Sequence, residues 1–206
     1  MSSLTIRDQE KDHLLTPKNA ALIVIDYQPT QIHSINSMDK KLLIANIAAT
    51  VQVAKTYHLP VILSTVNVKS GVNKDTIPQI KELLGVIPSY DRSTINAWED
   101  AEFYKAVKAT GRKKLLMTAL WTEACLSFPA LDAIKEGYEV YAVADAVGGT
   151  SLVAHEVALR RMEQAGVKLT SVAQLACELQ RDWNRKETAP GVVQIFKDTG
   201  IFLTLE

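Results

Sequence analysis

Short apolar runs, each followed by a segment of helical spacing, constrain this chain more than any other feature. AALIVID (20–26), PVILSTV (60–66), KLLMTAL (114–120) and EVYAVAD (139–145) are apolar without strict alternation, the pattern of strands buried on both faces. Between them, 40–57 carries Leu42, Leu43, Ile47, Val51 and Ala54 on one helical face. Residues 100–110, 122–136 and 151–165 also read as helices, with Gly111, Gly137 and Gly166 as their stops. A short strand at 167–170 and a helix at 172–183 follow. The alternation predicts a three-layer α/β fold, a mostly parallel sheet with helices on both faces. Residues 67–98 are less regular, with Gly71, Pro78, Gly85 and Pro88. They predict one short helix around 76–84 inside a long excursion.

No repeat, low-complexity segment or linker divides the chain, so 1–206 reads as a single domain with an N-terminal extension (1–15) and a C-terminal tail (187–206). The apolar VVQIF and IFLTL of the tail predict docking, on this subunit or on a neighbour. Twenty-three basic residues balance 23 acidic ones, which gives no reason to expect a nucleic-acid or membrane partner and offers little repulsion against self-association. The start, MSSLTIRDQEKDHLL, carries charges where a secretory signal needs an apolar run, and ALIVI (21–25) is far short of a membrane span. A cytoplasmic location is the expectation. Two thiols in such a chain, Cys125 and Cys177, are expected to be free. With the scattered His13, His33, His58 and His155 they form no four-ligand zinc set, so neither metal nor cofactor is expected.

Ligands of parallel sheets bind beyond the carboxyl ends of the strands. Asp26 closes the first strand, Asp145 the fourth, and Cys125 lies in the turn after the third. Thr122 is a good N-cap, which puts Cys125 in the first turn of a helix, where free N–H groups and the helix dipole favour a thiolate and can hold an oxyanion. A free cysteine is also often a small buried apolar residue, and position alone leaves the two readings balanced. Cys177 sits mid-helix in LACEL and reads as structural. Asp26 could take a thiol proton or could serve as a loop residue, the commoner use of a strand-end aspartate. Arg92, in YDRSTINAW, would stabilise both a thiolate and a carboxylate if it faced them; on residue type alone it is a solvated arginine. His155 lies within a helix and reads as a packing residue before a base.

IVIDYQ (23–28), YDRSTINAW (90–98) and ALWTEACLSFPALDAIKEGYEVYAVADA (119–146) together resemble the isochorismatase-like cysteine hydrolases. TINAWED, TEAC, FPAL and ACELQRDW are most similar to the YcaC-like subgroup of bacterial oligomeric hydrolases. The resemblance runs from about residue 16 to at least 185 and implies an isochorismatase-like, Rossmann-like sheet. It implies a catalytic set of Asp26, Arg92 and Cys125. Arginine stands where lysine is usual, and it cannot shuttle protons at neutral pH, so Asp26 would carry the proton traffic alone. It further implies a cis peptide at Leu120–Trp121, preceded here by Ala119 where a glycine is common. The oxyanion hole would then be the N–H groups of Trp121 and Cys125. STVNVKSGVNK lacks the Asp/His set with which the family's nicotinamidases bind a metal.

The implied reaction is hydrolysis of a C–N bond of a small molecule through a thioester. True isochorismatases cleave a vinyl ether and lack this cysteine. A non-catalytic oligomeric ligand-binding protein on the same fold and a vinyl-ether hydrolase are the alternatives; redox chemistry would need a resolving cysteine, and none lies nearby in sequence. Ile32, Trp98, Trp121 and Phe128 are the candidates for a partly apolar substrate pocket. The resemblance implies a homo-octamer or another even-numbered ring. The apolar Val66, Val68, Val72, Ile77, Val192, Val193, Ile195 and Phe196 are the surfaces through which it could form.

Overall fold

The computed structural model describes residues 8–201. Six strands form one parallel sheet: β1 (Ala20–Ile25), β2 (Val61–Val66), β3 (Ser89–Arg92), β4 (Lys114–Ala119), β5 (Glu139–Val143) and β6 (Lys168–Thr170). Their order is β3-β2-β1-β4-β5-β6. The helices are α1 (Pro29–His33), α2 (Lys40–Thr56), α3 (Pro78–Leu84), α4 (Ala101–Ala109), α5 (Ser127–Lys135), α6 (Leu152–Gln164), α7 (Val172–Gln180) and α8 (Ala189–Asp198). The result is a three-layer α/β fold.

The continuous apolar runs are explained by a core on each face of the sheet. Leu22 and Val24 of β1, with Leu116 of β4, pack with the buried side chains of α2, α7 and α8. Ala21, Ile23 and Ile25, with Leu115, Met117 and Ala119, pack with those of α4 and α5. Every residue of β1 and β4 is therefore buried, and period-2 alternation disappears. α2 starts where the Asp39 carboxylate accepts the N–H groups of Lys41 and Leu42, both at 2.9 Å.

The tail departs from one of its two expected uses. Within α8, Val192, Ile195 and Phe196 are buried against this subunit's own core, as is Ile77 of the excursion. The end of the IFLTL segment lies outside the described residues, as does the start of the N-terminal extension. Three elements were not foreseen, one of them α8 in the tail. β3 (SYDR) is a half-exposed edge strand with a single aromatic residue, too short and polar for an apolar pattern. α1 is one turn set by Pro29.

Strand order reverses between β1 and β4, whose chains leave in opposite directions and open a crevice at their carboxyl ends. The segments after β1 and β4 hold Asp26 and Cys125 respectively.

Candidate active site

Asp26 follows β1 in register with the end of β4: Ile25 pairs with Ala119, and Leu120 N–H donates to the Ile25 carbonyl. Its own N–H donates to the Ser64 carbonyl of β2 at 3.0 Å. At φ 61° the backbone occupies the left-handed region, sparsely used by residues with a Cβ but tolerated best by Asn and Asp. This turn directs the fully buried Asp26 side chain across the strand ends.

Arg92 ends β3, opposite Val66 of β2, and reaches over β2 to Asp26. The pair is bidentate: Nη1 donates to Oδ1 and Nη2 to Oδ2, both at 2.7 Å. Nη1 also donates to Ser64 Oγ and the Thr65 carbonyl, and Nη2 to the Ile95 carbonyl. Burial alone would lower the guanidinium's pKa; the Asp26 carboxylate overrides it and holds the cation above its usual value. Arg92 is thus permanently charged, matched by one buried carboxylate.

Cys125 sits in a π turn, Thr122–Leu126, that leads into α5. This corrects the expected helix start: Thr122 is not the N-cap, and its hydroxyl lies 2.8 Å from His155 Nδ1 instead. The Leu120–Trp121 peptide is cis. Cys125 lines the same cavity as Asp26, Arg92 and Trp121, and its thiol lies within electrostatic reach of all three. Burial first, then the Asp26 charge, push the thiol up to about 12, against the pull of Arg92 and the Trp121 N–H. Burial and the neighbouring carboxylate thus oppose the thiolate that a helix start would favour.

The turn is braced from behind. Thr122 N–H donates to the Gly148 carbonyl, and Glu123 Oε1 accepts from the N–H and hydroxyl of Thr150. At Gly149 an added Cβ would lie 2.6 Å from Glu123 Oε2 and 3.0 Å from His155 Cβ, so only glycine fits without displacement. Burial lowers the pKa of His155, whose ring meets Thr122 and does not line the cavity described below. Asp145 also turns away: its carboxylate accepts the Val172 N–H at the start of α7.

A cavity of about 330 Å³ opens over Asp26, Arg92 and Cys125. Trp121 lines it, with its Nε1 held by Ser34 Oγ at 2.6 Å. The other three pocket candidates do not line it. Ile32 is buried in the core beneath α1. Trp98 packs edge-on with Phe103, Tyr104 and Tyr138 on the opposite face and donates to Glu136. Phe128, on α5, follows the turn away from the cavity. The walls come instead from Thr30 and Gln31 of α1, Val66, the loop residues Asn67, Val72 and Asn73, and Ile95. Short polar loops carry no periodic signal, so sequence reasoning missed them.

Gln28, also missed, is fully buried and fixes that loop. Its Nε2 donates to the carbonyls of Val66 and Lys74, and its Oε1 accepts the Val66 N–H. Asp91 holds the other side, accepting from Val68 N–H, Lys69 N–H and the Thr65 hydroxyl. Among the described residues, no group of three or more His, Cys, Asp or Glu side chains is placed to hold a metal ion.

A parallel sheet with a buried Asp–Arg pair and a thiol at its topological switch point defines an isochorismatase-like hydrolase. The isochorismatase domain model matches residues 20–174, and the chain belongs to that family. It is 35% identical to the probable hydrolase YcaC of Escherichia coli over 89% of this chain and 88% of that protein. The crystal structure of that protein, an octameric hydrolase of unknown specificity, superposes with a TM-score of 0.86, covering 91% of each chain. YcaC from Pseudomonas aeruginosa, solved with hexane-2,5-diol and covalent acrylamide, is 31% identical, with a TM-score of 0.81 over 96% of this chain and all of that one.

Proposed function

We propose that this hydrolase cleaves the C–N bond of a small amide, with Cys125 as nucleophile, Asp26 as proton acceptor and donor, and Arg92 as the fixed cation that holds Asp26. The observation that carries this reading is a single cavity lined by the thiol of Cys125 and by Asp26, a carboxylate whose two oxygens are both anchored by Arg92.

The Cys125 proton moves to Asp26 as sulfur bonds to the carbonyl carbon. The negative charge leaves the carboxylate and comes to rest on the former carbonyl oxygen, so the net charge of the site is unchanged. The N–H groups of Trp121 and Cys125 take the oxyanion. When the tetrahedral species collapses, the C–N bond breaks and Asp26 returns its proton to the leaving amine. Water then attacks the thioester and gives a proton to Asp26. The C–S bond breaks, and the sulfur recovers a proton from Asp26 as the acid leaves.

The covalent acrylamide in the Pseudomonas YcaC structure supports an accessible, reactive group in that relative. The octameric E. coli protein supports a homo-oligomer here, with an octamer favoured. So does a cluster of exposed apolar side chains at the start of α6, Leu152, Val153 and Val157. Two free cysteines suit the cytoplasm.

The test is a panel of small amides assayed for amine or ammonia release. Wild type should hydrolyse at least one, and Cys125→Ala should lose about 10³-fold or more with its circular dichroism unchanged. Full activity in Cys125→Ala would refute the assignment.

A further inference from the structure

The charges over the cavity cancel. Among the described residues, Asp26 and Arg92 are the only ones lining it that are charged at neutral pH, and they face each other. Every Nη of Arg92 is spent on Asp26, Ser64 Oγ or the carbonyls of Thr65 and Ile95. The remaining donor, Nε–H, is buried from solvent. Lys69 and Lys74 belong to the loop over the cavity, yet neither lines it.

The rest of the described lining carries no charge at neutral pH; besides Thr30, Trp121, Ala124 and the thiol of Cys125, it holds two groups of side chains. Val66, Val72 and Ile95 are aliphatic, while Gln31, Asn67 and Asn73 present amide groups. Asn73 Nδ2 donates to Gln31 Oε1 at 3.0 Å, which fixes those two amides and leaves donors and acceptors for a neutral polar group. A carboxylate or phosphate entering here would lose its water and meet no free cation.

We infer that the site selects uncharged substrates, small amides of a short apolar acyl group carrying no carboxylate or phosphate. This rests on the reading of Cys125 as the nucleophile and names the substrate class for it.

Two alkylating probes of nearly equal size separate charge from fit: neutral iodoacetamide and anionic iodoacetate. Each forms one S–C bond to Cys125 while iodide leaves and the thiol proton passes to solvent. Rates at Cys125 are read by peptide mass spectrometry on the intact protein at fixed pH and ionic strength. Each is divided by the rate of the same probe with 2-mercaptoethanol, which removes intrinsic reactivity. Iodoacetate should then be slower at Cys125 by about tenfold or more, on the scale of one uncompensated charge at partly buried range. Gln31→Lys, which puts a cation on the wall, should narrow that gap several-fold; Gln31→Glu should widen it. Equal normalised rates, or a faster iodoacetate, would overturn the charge selectivity while leaving a reactive Cys125 intact. Labelling of Cys177 by both probes with none at Cys125 would instead overturn the nucleophile reading, and the selectivity with it.

Discussion

Asp26 raises the thiol's pKa and is also proposed to remove its proton, so a single substitution should separate the two effects. Asp26→Asn deletes the carboxylate charge that, after burial, holds the thiol up near 12. With that charge gone the pKa falls, a larger fraction is thiolate at a given pH, and iodoacetamide should label Cys125 faster at pH 8 than in wild type. Turnover should nevertheless drop about 10²–10⁴-fold, because no group remains to carry the proton. The pH dependence follows the same sign: wild-type labelling should keep rising beyond pH 10, and the variant's curve should lie at lower pH. Slower labelling in the variant would mean that the carboxylate favours the thiolate. Arg92 would lose its buried counter-charge, so about 3–5 kcal/mol of stability should also go, seen as a lower melting temperature.

The loop after β2 turns a sheet edge into a cavity, and Gln28 holds it there. Truncating this fully buried amide strands the Val66 N–H and the carbonyls of Val66 and Lys74. Gln28→Ala should cost roughly 2–4 kcal/mol and speed hydrogen exchange of the Val66 N–H, while β4 and β5 keep their protection. Uniform loss of protection would show that Gln28 supports the whole fold instead. The strands were legible because burial on both faces leaves unbroken apolar runs, and their ends marked where Asp26 and Cys125 would stand. Arg92 was different. It sits on an edge strand with no pattern of its own and was singled out by resemblance; its hydrogen bond to Asp26 depends on β3 lying beside β2, a long-range pairing. Gln28 and the loop amides act through backbone contacts made only after folding. Trp98 misled because a large aromatic among polar neighbours suits a pocket wall as well as the aromatic core cluster it joins.

The chain closes most of its apolar surface on itself, including the α8 residues Val192, Ile195 and Phe196. Among the described residues, the exposed large apolar side chains include Leu152, Val153 and Val157 of α6, each more than half exposed, and Val72 and Ile95 at the cavity mouth, 80% and 62% exposed; Leu42, Val86, Trp183 and Ile201 lie apart from both groups in sequence. A balanced charge adds no repulsion to keep copies apart. Light scattering should find an even-numbered assembly. Val153→Arg with Val157→Arg should reduce its mass without loss of helical signal, since both side chains are surface residues of a single subunit. A monomeric wild type at assay concentration would contradict the assembly, and an unchanged mass in the variant would move the interface elsewhere.

The proposed route passes through a covalent acyl intermediate on Cys125, which can be trapped. Protein mixed with p-nitrophenyl acetate, an activated uncharged acyl donor, is acid-quenched at successive times and digested, and each peptide is weighed. An acetyl group should appear on the peptide carrying Cys125 within the first turnover and then be hydrolysed, with the label persisting longer in Asp26→Asn because water activation is lost. Steady release of p-nitrophenol by wild type and Cys125→Ala alike, with no acetyl on Cys125 at any time, would contradict that route.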